Sequence, residues 1–135
     1  MAHEFALRRP AVATSRPLLG LAIRNDQPDR LRLLFRKRNG PALRFEAGRF
    51  LAEQILTPQQ ESWLPATDTS TARQKVQRAF AAELLCPIGL LGDFLNGDFS
   101  PEAIEEAGEY FGVSELAVKS HLANHRQIPF DSVTV

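Results

Sequence analysis

Three histidines, one cysteine and a scatter of glutamates are the residues of this chain best equipped for chemistry. His121 and His125 stand four apart, as H-x-x-x-H. On a helix that spacing puts two imidazoles one turn apart on one face, the arrangement with which helical sites hold a divalent metal. No glutamate adjoins either histidine to serve as a base. The plainer reading is two helix-end imidazoles, favoured by the negative end of the helix dipole. Glu46, Glu53 and Glu83 complete the pool from which a metal site would draw. His3-Glu4 imitates the start of an H-E-x-x-H motif, but Leu7 occupies the second histidine position. Cys86 is a candidate nucleophile without a histidine or acid fixed beside it, so core packing is the better reading. The chain has no glycine-rich phosphate loop, no Ser-His-Asp candidate and no CxxC pair.

The elements that must position these groups follow from periodicity and punctuation. Residues 1–17, with two prolines and three arginines, read as an extended arm. A strand is expected from Leu18 to Asn25 and a second from Arg30 to Arg38, linked by the turn-rich Asn25-Asp26-Gln27-Pro28-Asp29. In the second, Leu31, Leu33 and Phe35 alternate with Arg30, Arg32 and Leu34, the pattern of a half-buried strand. From Pro41 to about Leu56 the pattern becomes helical, with a stripe of Phe45, Gly48, Phe50, Leu51, Ala52 and Ile55. Residues 57–70 carry two prolines and a lone Trp63 and read as a loop anchored by that tryptophan.

The next helix is expected from about Ser70 to Cys86, capped by Asp68 or Ser70, with Val76, Ala79, Phe80 and Leu84 as its apolar face and Glu83 at the edge. A short helix from Ile88 to Leu95 stops at Asn96-Gly97. Ser100-Pro101 opens another, which runs to Phe111, with Glu102 in its first turn. Gly112 breaks it, and Ser114 caps a last helix to about His125.

Two stretches raise nucleic acid as a partner. Ala103 to His125 has helix-turn-helix grammar, with Ala107, Gly112, Val113-Ser114, then Ala117, Val118 and Leu122 buried. Its exposed reading positions would be Glu115, Lys119 and Ser120, and the preceding helix carries Glu102, Glu105, Glu106 and Glu109. Those carboxylates would repel phosphate, so the segment reads as structural. Arg30, Arg32, Arg36, Lys37 and Arg38 form the better candidate. Phe35 is interleaved, but exposed aromatics for base stacking are few. The plainer reading is a solvated strand face that also guards a sheet edge.

Bulk properties bound these readings. At 135 residues, with 44% hydrophobic and 24% charged residues, the chain fits one globular domain. No apolar run approaches the roughly 18 residues of a membrane span, and Met1-Ala2-His3-Glu4-Phe5 lacks a signal-peptide core. A single cysteine fits a reducing cytosol, so the expected location is cytoplasmic. The formal charge is zero but uneven. Residues 1–50 hold 11 Lys/Arg and 4 Asp/Glu, a net of +7, and residues 51–135 hold 5 and 12, a net of −7. Such halves either present opposite faces to partners or neutralise each other on packing.

Phe80-Ala81-Ala82-Glu83-Leu84-Leu85-Cys86-Pro87 resembles the Phe-Ala-Ala-x-Leu-Leu-x-Pro helix of the ImmA/IrrE-type metallopeptidases. Arg44-Phe45 sits where that family carries Arg-Phe-x-Leu-Ala-His-Glu-Leu-Gly-His. An H-E-x-x-H helix works because its histidines share a face and its glutamate activates the metal-bound water. Aligned on Arg44-Phe45, the first metal histidine falls on Arg49, the catalytic glutamate on Phe50 and the second histidine on Glu53. The family's third ligand, a glutamate about one turn before the Phe-Ala-Ala, falls on Val76. Arg49 and Glu53, at i and i+4, are expected to form a weak surface ion pair.

The resemblance spans roughly residues 18–128 and includes the segment Ala107 through Leu122. It implies an α+β fold: a small antiparallel sheet on about five helices, a zincin-like core with helix-turn-helix-like helices at its C-terminal end. Residues 129–135 would be a tail. It implies a protein of bacterial or mobile-element origin that binds a protein partner, of the repressor type with which family members often act; the departures at Arg49, Phe50, Glu53 and Val76 make the expectation a catalytically inactive member without the family's zinc. The expected contact surface is the groove beside the helix of residues 41–56, with Arg49 and Glu53 at its floor. Two other readings stand: an active zinc endopeptidase with ligands from Glu46, Glu53, Glu83, His121 and His125, and a nucleic-acid-binding module using residues 30–38.

Overall fold

The computed structural model describes residues 19–25 and 30–133. The expected arm of residues 1–17, His3, Glu4 and Leu7 with it, and most of the 25–29 turn lie outside the described residues. The chain runs β1 (Gly20–Arg24), β2 (Leu31–Leu34), α1 (Gly40–Leu56), β3 (Trp63–Ala66), α2 (Ala72–Leu85), α3 (Ile88–Leu95), α4 (Pro101–Phe111) and α5 (Glu115–Asn124). A 3-10 turn, Phe130–Ser132, follows in the expected tail and touches α5. This is an α+β fold, with a small antiparallel sheet on five helices.

The sheet order is β2-β1-β3, and both pairings are antiparallel. Ala22 stands opposite Leu33 on one side and Leu64 on the other. These residues, with Ala66, face α1 and close on Phe50, and Leu31 and Phe35 pack at the margin. Alternation thus predicted the face of β2 correctly. It missed β3, which lies within the expected loop. Trp63 does not anchor a loop: it is 66% exposed on the outer face of an edge strand. The strand is short, contains Pro65 and alternates over only four residues, so its pattern is too brief to read.

Four of the five helices have a side-chain cap. Asn39, Thr71, Ser100 and Ser114 accept from the backbone N–H three residues on in α1, α2, α4 and α5. Thr71, rather than Asp68 or Ser70, caps α2. Helix α1 lies between the sheet and α2, so it is covered on both sides. Two glycines permit the close approach. A Cβ on Gly20 would sit 2.8 Å from Glu46 Oε1 and 2.9 Å from Phe50 Cζ. A Cβ on Gly48 would sit 3.1 Å from Ala81 Cβ. Ile55, expected in the apolar stripe of α1, is exposed.

The face of α2 differs from the expected one. Val76, Ala79 and Leu84 are exposed, and the buried residues are Gln74, Gln77, Ala81 and Ala82. Burying two amides is favourable only when they are hydrogen-bonded, and a hydrophobic pattern cannot register them. The C-terminal helices form a second core of Cys86, Leu91, Leu95, Ile104, Ala107, Val113, Val118 and Leu122. Gly112 ends α4 in the left-handed region at φ 66, and Arg44 of α1 donates to the Phe111 and Gly112 carbonyls at 3.1 and 2.9 Å. Among the described residues no helix is long and apolar enough to cross a membrane.

Candidate functional site

The α1–α2 interface holds the residues that align with the family's metal motif. Arg49 and Glu53 project from successive turns of α1 toward α2, and each is 3% exposed. They do not form the expected surface ion pair. Gln77 stands between them: Arg49 Nε donates to Gln77 Oε1 at 3.1 Å, and Gln77 Nε2 donates to Glu53 Oε1. Val76, matched to the third ligand, points away and is half exposed, so Gln77 is the α2 residue that faces the pair.

The network continues to the edge of the sheet. Gln74 and Gln77 both donate to the Pro65 carbonyl, at 3.1 and 2.9 Å. Gln74 Oε1 accepts from the Thr67 N–H at 2.8 Å, and Arg49 Nη2 donates to the Thr67 carbonyl at 2.6 Å. The Pro65 carbonyl and the N–H and carbonyl of Thr67, at the free edge of β3 and its extension, are thereby paired with side chains. Glu53 receives Arg73 through Nε and Nη2 at 2.9 and 2.6 Å, and the Thr57 hydroxyl at 2.8 Å. Among the described residues no buried side-chain N or O atom lacks a partner.

Electrostatics agree with a closed network. Burial alone would raise the Glu53 carboxyl, but hydrogen bonds from Arg73, Gln77 and Thr57 outweigh it and hold the group below its ordinary range. Burial, with Arg78 and Arg36 nearby, pulls the Arg49 guanidinium down to about 10, so it keeps its charge at neutral pH. A fixed cation and one engaged carboxylate cannot hold zinc, which needs several free donors. Phe50, at the general-base position, is 1% exposed and serves the sheet core.

A second buried pair removes Arg36 from the basic strand. Its Nε donates to Glu46 Oε1 at 2.8 Å, and the Arg36 N–H donates to Glu46 Oε2 at 3.0 Å. Asp68 binds the other side of the guanidinium at 2.9 Å. Burial opposes the cation, but Glu46 and Asp68 outweigh it and raise its pKa. Arg36 and Arg49, named as partner or nucleic-acid contacts, are therefore interior. Arg30, Arg32 and Arg38 are exposed and Lys37 half-buried.

Beside Glu53 a cleft of about 270 Å³ opens between α1 and α2. Ala52, Leu56, Pro58 and Val76 give it apolar walls, and Glu53, Glu61 and Arg73 give it charge. Arg73 binds both carboxylates, reaching Glu61 at 3.0 Å. Glu53 thus lies at the floor of a groove as expected, and Arg49 does not line it.

The C-terminal histidines also meet α2. His121 Nε2 lies 3.1 Å from Glu83 Oε2, and the His121 and His125 ring centroids are 4.9 Å apart. Burial and the neighbouring His125 lower the His121 pKa, with Glu83 and the Cys86 backbone opposing them. Burial and Glu83 push the Cys86 thiol up to about 11, which leaves no thiolate nucleophile at neutral pH. Of the five candidate ligands, Glu83, His121 and His125 come together; Glu46 and Glu53 are committed to arginines. Sequence reasoning missed Arg73, Gln74 and Gln77, and also Arg24. Arg24 donates to the Gln54 side chain and to the Gln54, Thr57 and Glu61 carbonyls, fixing the end of α1. The one legible signal was Gln74, Gln77 and Ala81, spaced three and four apart on one face.

Compared with protein-family models, curated proteins and solved structures, the chain has no significant match.

Proposed function

We propose that this chain is a catalytically inactive ImmA/IrrE metallopeptidase-like protein that acts by binding a protein partner, of the repressor-type DNA-binding class. The observation that carries the inactive part is the closed network at Arg49, Gln77 and Glu53, where a guanidinium stands at the position matched to the first metal ligand and the Gln77 amide engages the carboxylate matched to the second. The residue roles, the family and the partner class rest on the resemblance of Arg44-Phe45 and Phe80 through Pro87. The cytosolic setting rests on the single cysteine, which fits a reducing compartment.

The binding part is supported by the cleft between α1 and α2. Leu56 and Val76 are exposed at its rim, with Arg73 and Glu61 beside them. An apolar anchor with flanking charges suits a protein side chain more than a nucleic acid. Addition of a peptide as a fourth strand on β3 is opposed at Pro65 and Thr67, whose backbone groups Gln74, Gln77 and Arg49 already take.

A photo-crosslinking residue at position 76, used in the source cells, tests the proposal. The expected adduct is one protein with a helix-turn-helix domain, lost when Leu56→Asp is added. Adducts spread over unrelated proteins, or an adduct indifferent to Leu56→Asp, would remove the reading.

A further inference from the structure

The structure assigns a divalent metal site, of the zinc class, to Glu83, His121 and His125. It lies between α2 and α5, away from the positions aligned with the family's metal motif, and it does not depend on the family resemblance.

Geometry is the first support. One ligand atom from each of the three residues falls within 4.8 Å of the others. Tetrahedral zinc, with bonds of about 2.0–2.2 Å, holds its ligand atoms roughly 3.4 Å apart. The His121 Nε2–Glu83 Oε2 separation of 3.1 Å is already near that spacing. His125 and Glu83 are exposed, so rotation of their side chains can bring the remaining distances in.

The second support is the buried ring. His121 is 3% exposed, and the Cys86 backbone hydrogen-bonds it. A metal-bound histidine characteristically donates its other N–H to a carbonyl, which fixes the tautomer and aims the lone pair. Here Nε2 lies 3.1 Å from Glu83 Oε2, so with the ring proton on Nδ1 a cation can bind both atoms.

The third support is the field. Glu83 lies in the last turn of α2, and His121 and His125 lie at the end of α5. Both helices therefore turn their partially negative carbonyl ends toward the cluster, which favours a cation. Two imidazoles with one carboxylate select zinc over magnesium or calcium, which prefer all-oxygen sites. Three protein ligands leave a fourth position open to solvent.

An ion held there would clamp α5, and with it the C-terminal core, to α2. Zinc chloride titrated into the tag-free full chain tests this by calorimetry and thermal melting. One ion per chain is expected, with a Tm rise of about 5 °C or more at a hundredfold excess over Kd. His125→Ala, an exposed change that leaves the fold intact, should weaken binding at least roughly tenfold, and Glu83→Gln should do the same. Absence of saturable zinc binding, or binding that both variants leave unchanged, overturns the assignment.

Discussion

Arg49 illustrates how a single residue turns a possible centre of chemistry into a structural joint. Its guanidinium reaches Gln77, Gln74 and the Thr67 carbonyl, so it joins α1 to α2 and to the sheet edge. Replacing it by methionine keeps much of the volume but leaves three buried acceptors with one partner fewer. A loss of about 3 kcal/mol is expected in urea unfolding, since breaking a buried charged network leaves desolvated groups uncompensated. A change within 0.5 kcal/mol, the range of an ordinary surface substitution, would mean that water replaces the guanidinium without cost.

Glu53 makes a second prediction, in pH. Its folded pKa lies below the unfolded value of 4.5. Its contribution is therefore complete above that value and is lost as pH falls through the folded pKa. Asp68, also depressed, acts in the same direction. Stability of the wild type should decline below about pH 4.5 more steeply than that of Glu53→Gln. Parallel curves would show that the carboxylate has no special standing in the fold.

At the level of elements, caps and periodicity carry most of the design. Ser114 accepts from the Ala117 N–H at 3.1 Å and opens α5 directly after the left-handed Gly112. Ser114→Ala should cost about 1 kcal/mol, measured by thermal unfolding, with no effect on the cleft between α1 and α2. A loss above about 3 kcal/mol would place Ser114 in a tertiary network rather than a cap.

The helices were legible because their stops are unambiguous: Asn39-Gly40-Pro41, Pro87, Asn96-Gly97, Ser100-Pro101 and Gly112 fall at observed boundaries. Strand β2 was legible from alternation, although it ends at Leu34 rather than Arg38, and β1 from its short apolar run before the turn residues. What escaped were the elements whose pattern is polar or short. Strand β3 presents only Leu64 and Ala66 inward, and α2 buries Gln74 and Gln77 where an apolar stripe was sought. Buried amides look like surface residues until their partners are known, and here the partners lie on α1 and on β3. The same reason hid the site: the partners of Arg49 are 18 to 28 residues away in the chain. The approach of His121 to Glu83, 38 residues apart, is likewise a product of tertiary packing.

In the whole molecule, two apolar cores flank a polar seam. One lies between the sheet and α1, around Phe50 and Leu64; the other lies among α2 to α5, around Leu91 and Leu122. The Arg49, Gln74, Gln77 and Glu53 network runs beside the first. Of the Arg36 and Arg73 pairs with carboxylates, only Arg36–Asp68 joins the two halves of the chain; Arg36–Glu46 lies within the basic half, and Arg73 pairs with Glu53 and Glu61 within the acidic one. Most of the charge asymmetry is therefore left at the surface, but Arg36 is buried and paired, which removes it from the basic patch of residues 30–38.

The α1–α2 positions form a closed network, and we propose that it carries no hydrolytic chemistry. This central claim is tested most directly by incubating the zinc-supplemented full chain with a proteome-derived peptide library and reading new termini by mass spectrometry. The account predicts no termini above the protein-free control at any zinc concentration. Termini that accumulate with the chain and vanish when zinc is chelated would contradict it.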